Sequence, residues 1–182
     1  MNNRCRFLTS KARLEYYQND LYLCLDNTLF QDEDGQIYLV PRNFVTDLYS
    51  IPNGLAWLVG DSAGRDPRPA ILHDYLCEYH QGIRVKLTRY ELINYGYLTI
   101  HYSKERNRGF IVCKDIPLEY LELTKMFSKG ETNDFLRRAM ESLDVSKRKL
   151  IGGGICFNFN YFWSYSKLNL DNIYKIDNHY KR

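Results

Sequence analysis

Pro69-Ala70-Ile71-Leu72-His73-Asp74-Tyr75-Leu76, continued without a breaker to Tyr79, is the stretch on which the fold turns. Ile71, Leu72, Tyr75, Leu76 and Tyr79 recur at helical spacing, and proline is tolerated in a helix's first turn. The run therefore predicts a helix over 70–79 with one apolar, buried face. His73 and Asp74 ride on that helix. Neighbouring positions diverge by about 100° around a helix, so the two side chains border one pocket only if it lies beside the N-terminal turns.

Upstream, Leu21 to Leu25 alternates with tyrosine and cysteine, Asp32-Glu33-Asp34-Gly35 reads as a turn, and Gln36 to Val40 resumes an extended apolar run. Together these predict a β-hairpin. Pro41, Pro52 and Gly54 then break regular structure around Asn43-Phe44-Val45-Thr46-Asp47-Leu48-Tyr49-Ser50-Ile51-Pro52, which places that motif on a loop. Trp57 to Val59 is a short apolar stretch ahead of a second loop, 60–69.

Downstream, Phe135, Leu136, Ala139, Met140 and Leu143 keep a helical period and predict a helix over 131–143, with Thr132 as its N-cap. Residues 81–130 are rich in tyrosine, and the apolar runs Tyr90 to Ile100 and Phe110 to Ile116 mark them as a folded insertion. The polar segment 164–182 is a loose terminus or an arm that orders on a partner. The sum is an α+β chain: one domain over 1–163, with an N-terminal β-hairpin or small antiparallel sheet packed on a few helices.

At 182 residues such a domain buries roughly two thirds of its unfolded surface without staples. The cysteines, Cys5, Cys24, Cys77, Cys113 and Cys156, are odd in number and contain no Cys-x-x-Cys pair, which argues against a disulfide framework and a cysteine zinc site. Met1 to Phe7 lacks the layout of a signal peptide. The longest apolar stretch, Leu150 to Trp163, is interrupted by Asn158 and Asn160 and is too short to cross a bilayer, so no membrane span is expected.

The net charge of +3 is uneven: Lys104, Arg106 and Arg108 cluster, as do Arg137 with Arg138 and Lys147 to Lys149. Such clusters meet phosphates or form ordinary solvated faces. No phosphate loop, dinucleotide fingerprint or zinc-finger spacing accompanies them, so nucleic acid as a partner has no motif behind it.

The polar residues of the two motifs are the candidate site. Buried without partners, each would cost roughly 2–7 kcal/mol. One reading takes Asp47, His73 and Asp74 as ligands of a divalent metal, with Ser50 orienting water or substrate. A metal-free version makes His73 a general base steered by Asp47, Ser50 the acceptor or nucleophile, and Arg68 the stabiliser of an anion. The structural alternative has Asp47 cap the turn's amides, Asp74 meet the helix dipole and His73 bond Asp47 to hold loop against helix.

In order, an acidic hairpin, Val40-Pro41-x-x-Phe44-Val45-Thr46-Asp47-x-x-Ser50-Ile51-Pro52, Trp57, Ala70-x-Leu72-His73-Asp74-Tyr75-Leu76 and Ala139-Met140 resemble a domain family of unknown function from tailed bacteriophages and prophages. The resemblance spans roughly Asp20 to Trp163 and implies a phage-encoded protein, located in the host cytoplasm or the virion. It departs in two places. Some forty more residues intervene between the two helices than the family usually has, and Asn133 stands where the family tends to place a carboxylate. For such a protein the hydrolase reading means cell-wall or nucleotide hydrolysis. The alternative is a tail, baseplate or connector accessory protein whose partners are other virion proteins, with abundant tyrosine supplying contact surface.

Overall fold

The structure is a computed structural model and describes residues 4–18, 21–48, 66–103, 108–143 and 167–175. Its main sheet is antiparallel and five-stranded, built from β1 (Arg6–Phe7), β4 (Thr28–Gln31), β5 (Ile37–Val40), β7 (Ile83–Val85) and β10 (Leu121–Leu123), side by side in that order. A second sheet holds β2 (Leu14–Gln18), β3 (Leu21–Cys24) and β6 (Val45–Thr46), and a third is the hairpin of β8 (Leu98–Ser103) and β9 (Arg108–Cys113). The helices are α1 (Arg68–Tyr79), α2 (Arg89–Asn94) and α3 (Lys129–Glu141), so the chain is α+β with a strand-rich N-terminal half.

The expected hairpin forms, but its first strand is β4 and not Leu21 to Leu25. Thr28↔Val40 and Gln31↔Ile37 set the register across the Asp32–Gln36 turn. Asp32, whose backbone amide donates to Gln36 O, closes the turn with its side chain by accepting from the amides of Asp34 (3.0 Å) and Gln36 (2.8 Å). Leu21–Cys24 does form a strand, yet it pairs with β2 and β6. Asn27 marks the division: its buried side chain accepts from the Arg42 amide at 2.7 Å and donates to Asp115 at 3.2 Å. The motif expected on a loop starts as a strand, because Val45 and Thr46 pair with Leu23 and Tyr22.

α1 falls where its periodicity predicts and begins at Arg68, with Pro67 at its N-cap. It ends on His80 in the left-handed conformation (φ 52°), whose amide closes on Leu76 O. α3 is capped by Ser128 and not by Thr132. Ser128 and Glu131 form a capping box, while Thr132 is buried one turn in, with its hydroxyl turned back to Ser128 O. Residues 81–130 supply β7 and β10 to the main sheet as well as α2 and the β8–β9 hairpin. Residues 167–175 lie against the domain: Leu168 and Ile173 are buried in its core, and the Tyr174 hydroxyl bonds both the N–H and the carbonyl of Ile116.

The core sits between the main sheet and the α1/α3 pair, which pack on each other. β5 is buried along its whole length, as expected of a central strand. Phe135 of α3 meets Tyr38 at 4.8 Å, Phe127 at 5.2 Å and Phe30 at 6.4 Å between ring centroids, within the favourable range for tilted and edge-on aromatic pairs. Phe44 and Tyr79 flank Tyr75 in the same manner on the α1 side. Arg137 and Arg138, one of the basic clusters, are ion-paired with Asp134, Glu141 and Glu33. Among the described residues no helix is long and apolar enough to cross a membrane.

Phe135 fixes α3 to the sheet through the rings of Phe30 and Tyr38 and to the preceding loop through Phe127. Phe135→Ala is expected to lower stability by about 3–5 kcal/mol, read as a shifted midpoint in denaturant unfolding. A loss below about 1 kcal/mol would place the core's weight elsewhere.

Candidate functional site

The two motifs meet where β6, α1 and α3 come together. Thr46, at the end of β6, is 1% exposed, and Asp74, in the second turn of α1, is 7% exposed. The Thr46 hydroxyl donates to Asp74 Oδ2 and accepts from the Leu48 amide at 3.1 Å. Leu48 reaches that position in the left-handed region (φ 54°), an unusual conformation for a leucine. Such strain, of order 1–3 kcal/mol, persists only where the surroundings over-determine it.

His73 is 5% exposed on the neighbouring position of α1. Its Nε2–H donates to Asn133 Oδ1 on α3 at 3.3 Å, and its Nδ1 lies 3.8 Å from Asp74 Oδ1. Cys77, one turn further along α1, brings its sulfur to 3.5 Å from Nε2 and 3.8 Å from Nδ1. A polar chain thus runs from Thr46 through Asp74 and His73 to Asn133, bridging strand and both helices. Its weak point is Asp74 Oδ1, which is buried and accepts no hydrogen bond among the described residues.

Burial disfavours charge on both groups, and their mutual attraction opposes it. For Asp74, burial dominates and raises the carboxyl above its usual range, with the nearby His73 imidazole working against that rise and the Asp47 charge adding to it. For His73, burial alone would lower the imidazole, but the Asp74 carboxylate beside it, with Cys77, outweighs that and raises it to about 10. Both shifts run upward, so the buried pair favours holding a proton.

His73 and Asp74 are adjacent and share a contact, and Asp47 is half-buried at the end of the motif with its charge acting on Asp74. Arg68 is engaged elsewhere: it pairs with Asp66, donates to the Thr9 carbonyl and lies 4.6 Å over the Phe7 ring. Asn133 is the partner of His73 and not an idle substitute for a carboxylate. Ser50, Trp57 to Val59, Lys104, Arg106, Lys147 to Lys149 and Leu150 to Trp163 lie outside the described residues. Thr46 and Cys77 are additions that the sequence reading did not make. The spacing of Cys77 from His73, one helical turn, was the available signal.

The metal reading needs three ligands converging on one point. Among the described residues no three His, Cys, Asp or Glu side chains gather in that way, Asp47, His73 and Asp74 included. The Thr46–Asp74 bond links β6 to α1, and the His73–Asn133 bond links α1 to α3.

A family model described as Protein of unknown function (DUF1353) matches residues 23–151, a span that includes Thr46, Asp47, His73, Asp74 and Asn133. No curated protein and no solved structure matches.

The histidine makes the cluster sensitive to pH with a definite sign. Its folded pKa of about 10 stands above the ordinary value, so its contribution to stability is complete below about pH 6.5 and is lost as pH rises through about 10. The stability difference between wild type and His73→Gln, measured by urea unfolding, is expected to be widest near pH 6 and to narrow steadily toward pH 10. A difference that widens with pH would reverse the assignment.

Proposed function

The chain belongs to the DUF1353 family, proteins of unknown function, and from that premise we propose that it is a phage-encoded virion accessory protein of the tail, baseplate or connector. In this reading the Asp47, His73 and Asp74 cluster is architecture, and the protein's work is done by contact with other virion proteins. The observation that carries it is the inward commitment of the site: His73 and Asp74 are 5% and 7% exposed and direct their polar atoms to Thr46, to Asn133 and to each other. A hydrolase needs the reverse, polar groups turned toward a substrate and a base poised near the working pH.

The surface supports the same reading. Large apolar side chains stand in solvent along residues 90–102: Tyr90, Ile93, Tyr95, Ile100 and Tyr102 are each half exposed or more. Tyr95, Tyr97 and Tyr120 form a further aromatic group, with ring centroids 6.1–6.4 Å apart. Tyrosine at a surface offers a ring to pack and a hydroxyl to bond, the composition that protein interfaces favour. The resemblance to phage and prophage domains supplies the setting.

Two measurements test the proposal. Mass spectrometry of purified particles of the encoding phage is expected to find the protein at a defined stoichiometry. Its absence from particles, with abundance in the lysate, would remove the virion role. Metal analysis of the purified protein beside Asp47→Ala and His73→Ala bears on the site. Architecture predicts no stoichiometric metal and a His73→Ala variant destabilised by about 3 kcal/mol or more. Stoichiometric metal that is lost in a still-folded variant would favour a hydrolase acting on cell wall or nucleotides.

A further inference from the structure

Residues 167–175 tie two distant parts of the chain together through one side chain. The Tyr174 hydroxyl accepts from the Ile116 amide at 2.8 Å and donates to the Ile116 carbonyl at 2.9 Å, while the Tyr174 backbone carbonyl accepts from Asn43 Nδ2 at 2.6 Å. Ile116 is fully buried, so its amide and carbonyl need partners within the protein. A phenol has one proton to give and lone pairs to accept with, and here it serves both groups at once.

The other end of the tie is the corner that opens the first motif. Arg42 places its guanidinium 5.7 Å from the centre of the Tyr174 ring and pairs at 2.7 Å with Asp115, the residue before Ile116. Asn43 takes the left-handed conformation (φ 68°), which asparagine adopts more readily than most residues, and its amide bonds the Cys24 carbonyl at 2.7 Å. Directly after it come Phe44, packed against Tyr75, and the strand Val45–Thr46, from which the Thr46 hydroxyl reaches Asp74. One line of contacts therefore runs from Ile116 through Tyr174 and Asn43 to the Thr46–Asp74 bond.

The segment is also built as a separable unit. Among the described residues its own backbone amides bond locally: Asn172 to the Asn169 carbonyl, Ile173 to that of Leu170 and Lys175 to that of Asn172, with the Asn169 side chain accepting from the Asp171 amide at 3.0 Å. It contributes no described strand to the three sheets. What fixes it to the domain is the burial of Leu168 and Ile173 and the two ends of Tyr174. Undocking it breaks no ladder of the main sheet, the pattern of a cooperative unit that opens below the cost of global unfolding.

We propose that residues 167–175 act as a latch on the motif that begins at Asn43: docked, Tyr174 holds the Asn43 corner and Ile116 together, and released, it frees the Ile116 amide and loosens Phe44 to Leu48 in one step. Coupling of this kind acts in both directions. A change at Asn43 is felt at Ile116, although no hydrogen bond joins the two among the described residues.

The test is native-state amide hydrogen exchange of the full chain, followed by NMR, in wild type, Asn43→Gly and Tyr174→Phe. Glycine at position 43 keeps the left-handed backbone and removes the side-chain tie. In wild type the Leu48 and Ile116 amides are expected to share one opening and to exchange at least about tenfold faster than the amide of Leu39, in the centre of the main sheet, once intrinsic rates are divided out. Asn43→Gly should speed Leu48 and Ile116 by the same factor, about tenfold, and Tyr174→Phe should carry its effect to Leu48 as well. An Ile116 amide that opens only together with Leu39, or one that Asn43→Gly leaves at its wild-type rate while Leu48 speeds up, would overturn the latch, as would a Leu48 rate untouched by Tyr174→Phe.

Discussion

One buried carboxylate constrains the rest of the molecule. Asp74 sits within the packed joint of β6, α1 and α3, where an unpaired charge costs several kcal/mol. Its neighbours are arranged to meet that cost. The Thr46 hydroxyl donates a hydrogen bond to Oδ2, Leu48 adopts a left-handed backbone that lets its amide cap the same hydroxyl, and the His73 ring lies 3.8 Å from Oδ1. His73 is held in turn by Asn133, which ties α3 to the network. The packing of α3 on the sheet through Phe135 and the stacking of Phe44 on Tyr75 enclose the joint with rings.

The consequence for function follows from which way the polar atoms face. The Thr46 hydroxyl and the His73 ring spend hydrogen bonds on their own scaffold, on Asp74 and Asn133. Along residues 90–102, by contrast, tyrosine and isoleucine side chains are exposed. The hairpin is anchored to the same scaffold: β7 and β10, which flank it in sequence, are built into the main sheet.

Much of this was legible in the sequence, and the failures have physical causes. α1 declared itself through an apolar period of 3.6, and the Asp32–Gly35 turn through its Asp and Gly. β4 did not, because Thr28, Leu29 and Phe30 are buried on both faces and show no alternation, whereas Leu21–Cys24 alternates and drew the hairpin's first strand to itself. Ser128 was overlooked as a cap beside Thr132, although Ser128-x-x-Glu131 is a capping-box pattern. His73 and Asp74 stood out as polar groups on an apolar helix. Their partners did not, since Thr46 is 28 positions from Asp74 and Asn133 is 60 from His73, and such distances carry no local signal.

Thr46 and Asp74 act as one energetic unit. A double-mutant cycle with Thr46→Val and Asp74→Asn, followed by urea unfolding at neutral pH, measures that directly. A coupling of about 1.5–3 kcal/mol, the range for a hydrogen bond to a charged group, is the result the account predicts. Additive effects, with a coupling near zero, would contradict it and leave the buried carboxylate without its structural role.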